Sequence, residues 1–209
     1  MLRRDFLSIA ASSVLSAGRP GSAALLVSEN AMAEESLRGY RRHFDFEVSP
    51  AVPADRPLIV VPGLRNLTEP DWSALRASVW KGVSVVLESG LAFASDAEVA
   101  RQRADLQKHF GIRIAPRLFR TSAVRYIRFH WPIEVLVRDF SESVSVDPRS
   151  AEPIATAGAQ VAAVRRRLGR GNVVYLGSPL GPMLLADDPQ AVLWVRSLTR
   201  PDGSGRQAP

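Results

Sequence analysis

Three side chains hold most of the chemistry this sequence could perform: Glu88, Ser89 and His130. Glu88 follows the apolar run that ends at Leu87, which puts it at the carboxyl end of a strand, where open α/β sheets gather their ligands. A carboxylate there can accept a ligand's hydrogen bond, or act as a general acid or base with a pKa raised by partial burial. The plainer alternative is an acceptor for backbone N–H groups in the following loop. Ser89 becomes a nucleophile only with a base in hydrogen-bond reach, and it lacks the Gly-x-Ser-x-Gly setting. Of the three histidines, His43 and His109 close surface helices, where imidazoles suit the negative dipole end. His130, in Arg128-Phe129-His130-Trp131-Pro132, is then the remaining base for a Ser89–His130 pair, although a strand histidine is more often simply packed.

A second cluster joins Arg125, Arg128 and Arg138 to Tyr126, Phe129 and Trp131. Arginines beside aromatics suit a sugar, an anion or a partner protein, and they equally suit an aromatic core with solvated guanidinium groups. Arg165-Arg166-Arg167 reads as a solvated strand face. No cysteine is present, so thiolate nucleophiles, disulfides and Cys-ligated zinc are excluded, and three scattered histidines offer no metal site. Asp187-Asp188 has an ordinary helix-capping explanation. No cofactor is implied.

The elements that must position these groups alternate in type. Apolar runs at 24–27, 46–48, 58–61 and 83–87 predict strands, with helical spacing between them. Leu37, Tyr40 and Phe44 share one helix face. Thr68 caps a helix with Pro70 in its first turn and Trp72, Leu75 and Val79 inward; Gly82 ends it. Ser95 and Glu98 form a capping box, and that helix runs to Phe110 and stops at Gly111. Ile127, Phe129 and Trp131 alternate as a half-exposed strand. Residues 161–168, Gly169-Arg170-Gly171 and residues 173–176 read as an antiparallel hairpin. Asp188-Pro189 opens a last helix with Ala191, Val195 and Leu198 on one face. The pattern is an α/β domain over residues 23–200, followed by a polar tail at 201–209.

The 209-residue chain is 46% hydrophobic and 23% charged, ordinary values for a globular protein with one core. Its net charge of +6 is nearly all arginine with acids interspersed, too modest a basic balance for nucleic-acid binding. Arg3-Arg4-Asp5-Phe6-Leu7 and the weakly apolar run after it resemble a twin-arginine export signal over residues 1–22. This implies handling by the twin-arginine (Tat) translocon and a periplasmic or secreted protein, anchored to the inner membrane if the signal stays uncleaved.

The strand ending at Val61-Pro62-Gly63, the helix around Trp72 and Val85-Val86-Leu87-Glu88-Ser89-Gly90 resemble the class I glutamine amidotransferase-like domain. The hairpin Gly169-Arg170-Gly171-Asn172-Val173-Val174-Tyr175-Leu176-Gly177 resembles the ThuA-like (trehalose-utilisation) branch of that superfamily. The resemblance implies a flavodoxin-like, mostly parallel sheet with flanking helices and an antiparallel hairpin near the C-terminus, and a nucleophile elbow after Leu87. That elbow holds Glu88, Ser89 and Gly90 and no cysteine, and Gly177-Ser178-Pro179-Leu180 supplies no histidine. Glutaminase chemistry is therefore not expected.

Three functions follow as expectations. The first is an exported, non-catalytic binding or accessory domain, with carbohydrate among its ligand classes and a site built from Arg65, Asn66, Glu88, Ser89, Gly90 and Ser178, or from Arg128 and Trp131. The second is a periplasmic hydrolase using Glu88, or Ser89 with His130. The third is a structural partner in a larger complex.

Overall fold

The computed structural model describes residues 23–26, 34–64, 67–90, 95–119, 125–139 and 143–199. Arg65 and Asn66, the residues read as an export signal (1–22) and the tail at 201–209 lie outside them.

Capping residues fix three helix starts that the sequence marks, at Thr68, Ser95 and Asp188. α1 spans Glu34–His43, α2 Glu69–Lys81, α3 Asp96–Phe110, α4 Gly181–Leu185 and α5 Pro189–Leu198. Thr68 and Ser95 each complete a reciprocal capping box, with Asp71 and Glu98. Asp188 accepts from the backbone N–H groups of Gln190 and Ala191. Such caps contribute about 1 kcal/mol each. Gly82 and Gly111 end α2 and α3 at positive φ, 115° and 65°, a conformation in which a Cβ is strained.

The described residues form eleven strands, in chain order β1 Ala24–Leu26, β2 Glu47–Ser49, β3 Leu58–Leu64, β4 Ser84–Ser89, β5 Ile114–Phe119, β6 Arg125–Phe129, β7 Val135–Asp139, β8 Ser143–Val146, β9 Glu152–Ala157, β10 Gln160–Leu168 and β11 Gly171–Leu176. Nine form one sheet in the order β2-β1-β3-β4-β11-β10-β9-β6-β7, while β5 and β8 pair separately. β2, β1, β3, β4 and β11 are mutually parallel. The β10–β11 hairpin then turns the sheet antiparallel, and β9, β6 and β7 continue it. The expected α/β sheet with flanking helices and a hairpin near the C-terminus is present. The antiparallel extension and the β5–β8 ribbon are additions to it.

Alternation along the buried strands splits the core into two layers. Leu25, Leu58, Val60, Val86 and Val174 face Tyr40 of α1, Met183 and Leu184 of α4, and Trp194 of α5. Ile59, Val61, Val85, Leu87, Val173 and Tyr175 face Trp72 and Leu75 of α2, Phe110 of α3 and Val144 of β8. Both carboxyl-edge residues of interest, Glu88 and Ser89, therefore leave β4 on opposite faces.

Candidate functional site

Pro62-Gly63 interrupts β3. The β3–β4 register shifts between Val61 and Leu64, and Gly63 adopts φ 58°, so this is a bulge that a residue with a Cβ would fill poorly. Its consequence is local: the Gly63 N–H donates to Glu88 Oε2 at 3.3 Å. On the other side the Gly181 N–H donates to Glu88 Oε1, and Leu180 and Ser36 add further donors. Glu88 is 0% exposed. Burial pushes its carboxyl up to about 7, outweighing the four hydrogen bonds that favour the anion. Tyr40 lies over the same site; burial first, then the charge of Glu88, pushes its hydroxyl well above the usual range.

Helix α1 closes this end of the sheet against α4. A Cβ on Gly39 would lie 2.0 Å from the Gly181 carbonyl oxygen, and one on Gly181 would lie 2.2 Å from Ser36 Cα. At such a contact only glycine fits. Glu88 is thus a buried tie between β3, β4, α1 and α4; it accepts backbone N–H groups from the β3 bulge and the start of α4, and not from the loop that follows it.

Ser89 is 2% exposed and hydrogen-bonds the Tyr175 hydroxyl. Tyr175 donates to Gln102 Oε1 at 3.1 Å, and Gln102 Nε2 donates to the Leu64 carbonyl at 2.7 Å. The chain of polar groups links β4 and β11 to α3 inside the second core layer. His130 lies on the far side of the sheet. The order β4-β11-β10-β9-β6 separates the two strands by four spacings, about 19 Å along the sheet. His130 Nε2 instead contacts the Pro153 carbonyl at 2.9 Å. The Ser89–His130 pair is not formed.

Ser178 is also committed. Its hydroxyl donates to Asp139 Oδ1 at 2.8 Å, while Ser143 donates to Oδ2 at 3.2 Å. Asp139 is 3% exposed; it was missed in the sequence, although its place two residues after Val137 gives it the inward phase of β7. Gly90 serves through its backbone, its N–H donating to the Leu64 carbonyl at 2.8 Å. Glu88, Ser89, Gly90 and Ser178 all fall at or near the carboxyl edge, and the hydrogen bonds of each tie together elements of the fold.

The arginine–aromatic cluster divides. Phe129 packs on Trp194 with ring centroids 4.7 Å apart. Tyr126 is exposed, and so is Arg128, which pairs with Glu134 at 3.2 Å. Trp131 falls just beyond β6 rather than within it. Its carbonyl accepts from Trp194 Nε1 at 2.8 Å, and the Arg165 guanidinium lies 4.4 Å from its ring centroid. Arg165 is in turn held by both carboxylate oxygens of Glu152. The arginine triplet is therefore not a solvated face: Arg165 stacks on Trp131, Arg166 donates to the Gly111 and Ser150 carbonyls, and only Arg167 is exposed.

The other two histidines differ from each other. His109 is 5% exposed and stacks on Trp72 at 5.6 Å, because the last turn of α3 packs on α2. His43 does meet a helix end, with Nε2 2.8 Å from the Leu184 carbonyl. Among the described residues no group of three or more His, Asp or Glu could hold a metal ion, and no helix is long and apolar enough to cross a membrane.

A cavity of about 360 Å³ opens at the opposite, amino-terminal edge of the parallel strands. Leu58, Ser84, Val86, Asn172 and Val174 form its floor, and Trp131 and the end of α5 its wall.

No family model matches the sequence, and no curated protein matches it. The fold does match solved structures. A β-galactosidase from Bacillus circulans sp. alkalophilus superposes with a TM-score of 0.62 at 11% identity, covering 82% of this chain and 30% of its own. An exo-β-1,4-mannosidase from Opitutaceae bacterium strain TAV5 gives 0.57 at 14% identity, with 86% and 35% covered. A cytoplasmic protein from Salmonella typhimurium LT2 gives 0.59 at 12% identity, with 79% and 85% covered. The chain spans about a third of the length of these glycosidases. These neighbours overturn the resemblance to the class I glutamine amidotransferase-like superfamily and its ThuA-like branch. The motifs that carried it, a Pro-Gly bulge and a Gly-x-Gly hairpin, solve local backbone problems common to many folds.

Proposed function

We propose that this protein is a non-catalytic, exported binding or accessory domain of a carbohydrate-active system. One observation carries the reading: the carboxyl-edge crevice, where an α/β enzyme would work, is closed by α1 and α4 around a fully buried Glu88 whose two oxygens accept backbone N–H groups. A general acid or base must reach substrate, and Glu88 reaches none. Ser89 has tyrosine and no histidine beside it. The hydrolase alternative draws support from the glycosidase neighbours, but those proteins are about three times longer than the matched region, and fold alone does not transfer activity.

The parallel strands in the order β2-β1-β3-β4-β11 follow the 2-1-3-4-5 pattern of flavodoxin-like sheets, which supports that finer description for this half of the domain. Export through the twin-arginine route rests on Arg3-Arg4 and Phe6-Leu7 and gives a periplasmic or secreted location. The test of the non-catalytic reading is a panel of nitrophenyl glycosides incubated with the full chain. No release above a heat-denatured control is expected. Turnover that disappears in Glu88→Gln would overturn it.

A further inference from the structure

We infer that the cavity at the amino-terminal edge of the sheet is a binding site for a single neutral sugar ring, a reading that rests on and deepens the carbohydrate-binding proposal. Its volume of about 360 Å³ falls at the small end of ligand pockets. None of its described lining residues carries a charge, so none of them compensates the desolvation of an ionic ligand. The lining mixes apolar surface from Leu58, Val86 and Val174 with neutral polar groups from Ser84, Asn172 and Thr199. That mixture suits a molecule with apolar C–H faces and a rim of hydroxyls.

Two further features point to a ligand. Asn172 is the first, a neutral polar side chain in the lining. Residue 172 is in register with Ser84 across the β4–β11 ladder, so the two polar residues lie side by side in the cavity floor. Trp131 is the second. Its carbonyl is fixed by Trp194, and its ring is clamped by an Arg165 that Glu152 holds with two oxygens. An indole held by a cation on its ring and by its own anchored backbone loses little freedom when a sugar packs beside it, as preorganised sites require. The closed carboxyl edge explains why the site lies at the end of the strands opposite to the usual one.

Ligand-observed NMR on the full chain with D-galactose and D-mannose, and with D-galacturonate as a charged counterpart, tests the inference. Saturable binding of at least one neutral sugar is expected, with galacturonate at least tenfold weaker. Ser84→Leu fills the cavity and should weaken the neutral sugar at least tenfold; Asn172→Ser, which adds no bulk, should do the same if the leucine variant fails to fold. Absence of binding by both neutral sugars would overturn the site. So would unchanged affinity in a folded cavity variant, or galacturonate binding as tightly as galactose. Glycoside turnover, by contrast, would defeat the non-catalytic reading and leave the location of the sugar site to the cavity variants.

Discussion

Gly39 of α1 and Gly181 of α4 meet so closely that a Cβ on Gly39 would stand 2.0 Å from the Gly181 carbonyl oxygen. The contact brings Ser36 and Tyr40 over Glu88 and closes the carboxyl edge of the sheet. Helix propensity alone favours Gly39→Ala by about 1 kcal/mol. The contact reverses the sign: α1 must lift, and overpacking of this kind costs about 1–3 kcal/mol. Urea unfolding of Gly39→Ala should show a net loss of stability. A gain would mean that the two helices are not in contact.

The parallel half of the fold was legible because its signals are local. Thr68, Ser95 and Asp188 announce helix starts, and the runs ending at Val61 and Leu87 are too apolar for anything but buried strands. The antiparallel extension was not. β7 reads Val135-Leu136-Val137, and the outward Leu136 hides the alternation that its burial pattern shows. β5 and β9 carry Pro116 and Pro153, which argue against a strand on sequence grounds. α4, five residues opening with Gly181-Pro182, looks like a loop. Strand order was hidden for a different reason: β11 enters between β4 and β10, a non-local pairing with no local signature. The sequence placed Glu88 and Ser89 correctly on the sheet edge. It could not reveal that α1 and α4 seal them, since that depends on two glycines 142 residues apart.

The Ser89–Tyr175–Gln102 chain yields a second test. Tyr175→Phe keeps the ring in its core layer and removes only the hydroxyl, taking from Gln102 Oε1 the donor that Tyr175 supplies. A buried acceptor stripped of its partner costs about 1–3 kcal/mol. Thermal or urea unfolding should register that loss with the native far-UV spectrum retained. A change within about 0.5 kcal/mol, the usual scatter for surface substitutions, would show that the network contributes nothing.

Export is tested at the arginine pair. Guanidinium and ammonium groups differ in shape and in donor geometry, so replacing Arg3 and Arg4 by lysine should hold the protein inside the cell if the twin-arginine machinery carries it. Fractionation of cells making the wild type and the double variant reads this directly. Undiminished export of the double variant, stopped only when the general secretory route is blocked, would refute the assignment.

The pH dependence of stability follows from Glu88. Its carboxyl titrates near 7 in the folded protein because burial penalises the anion, against 4.5 for the ordinary group. Below about pH 4.5 both folded and unfolded chains hold the proton, and the full contribution to stability is present. As pH rises from there the unfolded chain releases its proton while the folded one keeps it, so stability falls until the folded group also ionises near pH 7. A shift of this size corresponds to about 3 kcal/mol across the window. Other carboxylates titrate in the same range, so the informative quantity is the difference between wild type and Glu88→Gln. The amide cannot ionise, and its NH2 must face one of the two backbone N–H groups that the carboxylate accepts. Glu88→Gln should therefore be the less stable protein at pH 5, by about 1–3 kcal/mol for the unmatched donors, and the gap should narrow or invert by pH 8. Unfolding curves for both proteins at half-unit intervals give the comparison. A gap that widens with rising pH would mean that the folded carboxylate is stabilised rather than penalised, and that the four hydrogen bonds to Glu88 outweigh its burial.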